Sequence, residues 1–445
     1  MLIEFKVTNY RSICDEQTLS LVASHSDKTE LPENKIVRRL PGEAGLDYLK
    51  SAVLYGPNAS GKSNILRAFA SLASFVEASA YKLAPNAPTF AVPFKLDVDY
   101  LAQPSKFEIT FVAESIRYLF ILSLTNKRII EESLVAYPKG LPQQWYVRTW
   151  NESTHQYDWK FASSTYFKKG RGLTEKTRQN ATFLSTAAQF EHPQLKSVYD
   201  WFVDIKVMQL GGEHHLSPLS TAQRMLDSEM FHSTVETLIK NADIGIASAN
   251  VEKANVEKVV LSDEEKKRQF DKMKKHRPLP LIREIEQGAD VNVEIFETRI
   301  ALSHSGKDGS TVDMDFATEE SEGTRQYFSL LGPWLKVLQD GGVLIVDEIE
   351  TSLHPMLVRE LIKLFNSEKL NPKGAQLIFT SHNPYLLDLT LFRRDQIWFT
   401  EKNKEGATQL YPLTDFQPRK DEAIVKGYLA GRYGAVPYIP EGLLQ

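Results

Sequence analysis

The sequence predicts an α/β fold with a mixed sheet, an antiparallel β lobe beside it and an inserted helical region. Two short apolar runs, Ala52-Val53-Leu54-Tyr55 and Val343-Leu344-Ile345-Val346, each lead directly into residues suited to phosphate or metal chemistry. A third, Gln376-Leu377-Ile378-Phe379-Thr380, has the same character. Such runs lack in/out alternation, as expected of strands buried on both faces. From about Pro93 to Phe161 the pattern changes to period two, as in Phe107-Glu108-Ile109-Thr110-Phe111-Val112, which reads as antiparallel strands.

The first apolar run enters Gly56-Pro57-Asn58-Ala59-Ser60-Gly61-Lys62-Ser63, a G-x-x-x-x-G-K-S phosphate-binding loop, and then the helix-like Asn64-Ile65-Leu66-Arg67-Ala68-Phe69, with helix expected over 62–82. Gly56 and Gly61 let the backbone curl so that its N–H groups face a phosphate. The helix that follows adds its positive end. Lys62 is placed to reach the β- and γ-phosphates of ATP, and the Ser63 hydroxyl to ligate Mg²⁺. Asn58, within the loop, and Asn64, just after it, complete the expected nucleotide contacts.

The second run ends in Asp347-Glu348. In open α/β sheets ligands bind beyond the carboxyl ends of the strands. Asp347 is therefore the expected Mg²⁺ ligand, and Glu348 the group that activates the attacking water.

Before that pair stands Glu320-Ser321-Glu322-Gly323-Thr324-Arg325-Gln326, opening a helical stretch through Leu338. Ser321 and Gly323 ahead of a helix suit an anion, although the same pattern also caps a helix. The third run ends in Ser381-His382-Asn383-Pro384, which puts His382 where a γ-phosphate is sensed. Each is weak alone. Their order along the chain is the strong signal.

That order resembles the ATP-binding-cassette (ABC) ATPase heads of the SMC/RecF/OLD type. It is most similar to the stand-alone AAA15/AAA21-type ATPases of bacterial phage-defence operons. The opening Ile3-Glu4-Phe5-Lys6-Val7-Thr8-Asn9-Tyr10-Arg11-Ser12-Ile13 resembles that family's first strand and turn, which implies that Arg11 helps position nucleotide. Ser321-Glu322-Gly323 resembles the signature motif, Thr351-Ser352-Leu353-His354-Pro355 the D-loop, His382 the switch histidine, and Gly431-Arg432-Tyr433-Gly434-Ala435-Val436-Pro437 the closing block. Gln189 is the candidate Q-loop residue. The resemblance implies that two copies pair head-to-tail, the signature helix of one covering ATP held by the other. It further implies a sensor–regulator of a separate, neighbour-encoded effector, a nuclease. The competing reading is a RecF/SMC-like DNA-maintenance ATPase that clamps duplex DNA.

Composition fits an intracellular enzyme. The 445 residues are 42% hydrophobic and 25% charged, enough for a large core in two or three lobes. Cys14 is the single cysteine, so there is no internal disulfide and no C-x-x-C zinc hook. No apolar run is long enough to span a membrane, and a cytoplasmic location is expected. The net charge of −4 exerts no global pull on nucleic acid.

The expected organisation is an N-terminal ATPase lobe over 1–190, a helical insertion or arm over 191–288, and a C-terminal ATPase lobe with a tail over 289–445. Within the insertion, 262–277 is a dense mixed-sign charge run that reads as a solvated helix or loop rather than a short arm touching DNA or a partner. The tail, with its mix of Gly, Tyr and Arg, reads most plainly as an ordered strap, with docking into a neighbouring subunit or onto a partner as the alternatives. The chain ends too soon after His382 for a TOPRIM nuclease domain, and no nuclease motif is evident elsewhere. No N-K-x-D guanine motif appears either, which disfavours GTP.

Overall fold

The computed structural model describes residues 1–437 except 26, 28–30, 43–44, 169, 210–216, 243–244, 255–296 and 420–421. The charge run at 262–277 lies outside the described residues. Contacts divide the chain into two compact units, Met1–Leu216 with Pro333–Gln445, and Ser217–Gly332.

The first unit holds two large sheets. One has six strands in the order Lys206–Gln209, Val343–Asp347, Gln376–Thr380, Ser51–Tyr55, Ile397–Lys402 and Thr408–Pro412. Every pair in it is parallel except the last, so the sheet is mixed. The three apolar runs singled out in the sequence are its three central strands. Ser51–Tyr55 and Gln376–Thr380 are buried at every position, which is why they show no alternation.

The other sheet is antiparallel and has seven strands. Five consecutive strands from Ser105–Ala113 to Gln156–Phe161 are joined by Leu2–Thr8 and then Gln17–Ser20. The period-two stretch therefore forms the expected lobe, and the N-terminal strand completes it.

Helix Lys62–Ala78 packs between the two sheets and is shorter than the expected 62–82. Its buried positions Ile65, Leu66, Phe69, Leu72, Ala73 and Val76 recur at helical spacing and form one apolar face. Phe69 stacks on Phe5 of the first strand with ring centroids 5.0 Å apart. That packing seats the helix, and hence the loop ahead of it.

The second unit pairs Ile246–Ala254, Glu297–Ser305 and Thr311–Asp315 in an antiparallel sheet, with helices Leu219–Asp227 and Glu229–Ala242 and the start of helix Glu322–Asp340. Val235, Ile239, Ile300, Leu302 and Phe328 are buried in its core.

The region expected to be helical from Pro193 onward thus contains two strands. Lys206–Gln209 adds to the edge of the mixed sheet beside Val343–Asp347, and Ile246–Ala254 pairs with Glu297–Ser305. In both, pairing with a neighbouring strand distant in sequence outweighs local preference, as strand formation depends on tertiary context. Among the described residues no helix is long and apolar enough to cross a membrane.

Candidate functional site

The loop leaves the buried strand Ser51–Tyr55 and closes at Gly61, which stands ahead of helix Lys62–Ala78 with φ 110°. A Cβ at Gly61 would run into the Thr408 side chain, and one at Gly56 would meet Thr400 and Ser60. Both glycines are therefore required by close approach as well as by backbone shape. Hydroxyls brace the loop from behind: Ser60 bonds Thr400 at 2.6 Å, and Thr408 donates to the Ser60 carbonyl at 2.9 Å. Asn58 is exposed at the tip.

Lys62 is buried, and its Nζ donates to the carbonyls of Gly56 at 2.7 Å and Pro57 at 3.1 Å. Burial pulls its pKa down to about 8, against the opposing attraction of Asp347, Glu348 and Glu350. The loop thus holds an ammonium among carbonyls, with three acids close by.

Ser63 Oγ donates to Asp347 Oδ1 at 3.0 Å, joining the loop to the carboxylate strand. The Thr380 hydroxyl donates to the same oxygen at 2.7 Å and accepts the N–H of Glu348, also at 2.7 Å. Glu348 has φ 55°, a conformation that L-residues rarely adopt, and its side chain is exposed. It turns the chain sharply off the strand end and sends its carboxylate outward. Just beyond Thr380, the main-chain N–H of His382 donates to Glu350 Oε1 at 2.5 Å. Burial lowers the His382 pKa first and Lys62 lowers it further, opposed by Glu350, Glu348 and Asp347.

The turn after the first strand reaches this site through Ser12. Asn64 Nδ2 donates to Ser12 Oγ at 2.7 Å, and Ser12 Oγ bonds Thr408 Oγ1 at 2.8 Å. Arg11 is exposed beside Ser12, with φ 54° and its Nε on the Tyr10 hydroxyl at 3.3 Å.

The closing block folds back as a strap on its own unit. Tyr433 and Tyr428 stack on Phe399, at 5.8 and 5.7 Å. A cleft of about 890 Å³ results, lined by Gly56–Ser60, His382 and Pro384 on one side and Tyr428, Leu429, Val436 and Pro437 on the other.

A family model described as "AAA domain, putative AbiEii toxin, Type IV TA system" matches residues 51–388, which include the loop, the carboxylate pair and His382. The chain belongs to this AAA-domain family. The SMC head domain from Thermotoga maritima is similar to it at 10% sequence identity with a TM-score of 0.37, over 92% of this chain and 98% of that one. A comparison with curated proteins finds no match.

In this AAA-family chain the residues singled out in the sequence divide between the two units. Gly56, Asn58, Gly61, Lys62, Ser63, Asn64, Asp347, Glu348, His382 and Arg11 belong to the first, and Ser321 and Gly323 to the second. Ser321 caps its helix by accepting the Thr324 N–H at 3.1 Å, so the capping pattern is realised while the helix start remains exposed. Gln189 is exposed at the end of helix Phe183–Gln189.

Among the described residues no group of three or more His, Cys, Asp or Glu is arranged to hold a metal. A nucleotide-borne Mg²⁺ needs less from the protein, since phosphates and waters fill most of its positions. The Ser63 hydroxyl beside the Asp347 carboxylate fits that requirement.

Thr380, Glu350, Ser12 and Thr408 escaped sequence reasoning. The one available signal was Thr380, a polar residue closing an otherwise apolar strand next to His382.

Proposed function

We propose that this chain binds and hydrolyses ATP with Mg²⁺, and that two copies close head-to-tail around the nucleotide. The observation that carries this is the hydrogen bond from Ser63 to Asp347, which joins the loop and the carboxylate strand into one site. The backbone N–H groups of Gly56–Ser63 and the Lys62 ammonium would cradle the β- and γ-phosphates. Ser63 and Asp347 would hold Mg²⁺, which when bound neutralises charge developing on the phosphates. Glu348, exposed at the strand end, is free to take a proton from the attacking water, and His382 stands at the cleft to contact the γ-phosphate. Arg11, Asn58 and Asn64 would steady the nucleotide from the loop's flanks. Ser321 and Gly323 of the second copy would cover the γ-phosphate with an exposed helix start.

ATP then joins two surfaces and hydrolysis releases them. On this reading the chain is a switch that regulates a separate effector, a nuclease encoded beside it. The family description names a putative toxin and a type IV toxin–antitoxin system, which supports a part in such a system.

Glu348→Gln tests the core of the proposal. The variant should retain ATP, lose turnover and double in mass with ATP, whereas the wild-type chain cycles back to one copy. Unchanged turnover would overturn the site assignment. A monomer that stays saturated with ATP would overturn the pairing. Purification from the native operon should recover the effector together with the chain; recovery with duplex DNA and no protein partner would favour the DNA clamp.

A further inference from the structure

Glu350 has no part in the reading above, yet it lies inside the same site. Its Oε1 accepts the main-chain N–H of His382. Its Oε2 is buried and has no hydrogen-bond partner among the described residues. A buried polar atom without a partner is costly and calls for an explanation. The hydrogen bond to His382 ties the turn after the carboxylate strand to the histidine strand, and the charge of Glu350 is felt by Lys62, His382 and the buried Tyr55 hydroxyl. Glu348, by contrast, faces solvent with its main chain tied to Thr380 and Thr351.

We propose that Glu350 is the positioning residue for His382. Oε1 fixes the main chain at His382, and Oε2 is the acceptor for an imidazole N–H when the ring turns into the cleft. Burial and Lys62 disfavour the imidazolium in the chain by itself. A carboxylate on one side and a phosphate on the other favour it, and the protonated ring donates one N–H to Oε2 and aims the other at the γ-phosphate. A carboxylate behind a working histidine fixes the orientation of the ring in this way. The inference rests on the nucleotide reading and deepens it: the short turn Ile349-Glu350-Thr351 carries the position of the carboxylate strand to the histidine strand.

A double-variant cycle tests it. Glu350→Gln keeps an oxygen for the His382 N–H but replaces Oε2 with a donor, and it is isosteric, so the fold should hold; a thermal melt checks this. Turnover should fall by about tenfold to a hundredfold. Glu350→Gln combined with His382→Ala should be no slower than His382→Ala alone, because residues acting as one unit are not additive. Wild-type turnover in Glu350→Gln would overturn the proposal, as would a double variant slowed by the full product of the two effects.

The same cycle is read in ATPγS affinity. A wild-type chain that binds ATPγS without hydrolysing ATP ends the hydrolytic reading alone. Coupling in affinity between positions 350 and 382 then upholds the pairing, and additivity removes it. A chain that binds no nucleotide removes both.

Discussion

The Thr380 hydroxyl donates to Asp347 at 2.7 Å and in the same position receives the main-chain N–H of Glu348. One buried side chain from the neighbouring strand therefore orients both acidic residues. Thr380→Val keeps the shape and removes both bonds, leaving the Glu348 N–H without its acceptor. The expected cost is about 1–3 kcal/mol of stability, with turnover reduced by about tenfold or more. Thr380→Ser should recover most of both. Steady-state ATP turnover beside chemical denaturation checks this, and a Val variant as active as the Ser variant would contradict it.

Lys62 gives a pH signature. Its pKa is about 8 in the folded chain against 10.5 for the free side chain. Between those values the unfolded chain binds more protons than the folded one, so stability should rise with pH across that window. Below it both states hold the proton, and the contribution is flat. The stability of wild type minus that of Lys62→Met should therefore be level near pH 7 and climb toward pH 10. Denaturation curves over that range would show it, and a difference that falls with pH would refute the burial argument. Binding of ATP should show the opposite trend, weakening above about pH 8 as the ammonium is lost.

Glu132 and Arg148 form a fully buried ion pair at 3.0 Å within the antiparallel lobe. Glu132 also accepts the Tyr146 hydroxyl and the N–H groups of Phe183 and Leu184, which open helix Phe183–Gln189. Removing the cation strands the carboxylate in the core. Arg148→Met should cost about 3–5 kcal/mol, measured by denaturant unfolding. A loss below about 1 kcal/mol would mean that the helix N–H groups alone satisfy Glu132.

Tyr433 anchors the strap. Its ring is fully buried between Phe399 and Phe416, with centroids 5.8 and 5.3 Å away, and its carbonyl accepts the Tyr411 hydroxyl at 3.0 Å. Tyr433→Ala should cost about 3–5 kcal/mol of local stability. It should also expose the strap to limited proteolysis and weaken ATP binding severalfold, since Tyr428, Val436 and Pro437 line the cleft. A protease-resistant variant with unchanged affinity would show that the strap plays no part in the site.

Local sequence alone determined the loop, the acidic pair, the three apolar strands and the period-two lobe. Each is a pattern whose chemistry resides in neighbouring residues: a glycine where the chain must curl, an unbroken apolar run where both faces are covered. Tertiary structure decided which strands lie side by side. Gln376–Thr380 inserts between Val343–Asp347 and Ser51–Tyr55, and only that order brings the Thr380 hydroxyl to Asp347 and the Glu350 carboxylate to His382. It also decided that Tyr428 and Tyr433 fold onto Phe399 of their own unit. Strand order and strap docking arise from burial between segments far apart in the chain, and a threonine or a glutamate has the same local signature whether or not a partner awaits it across the sheet.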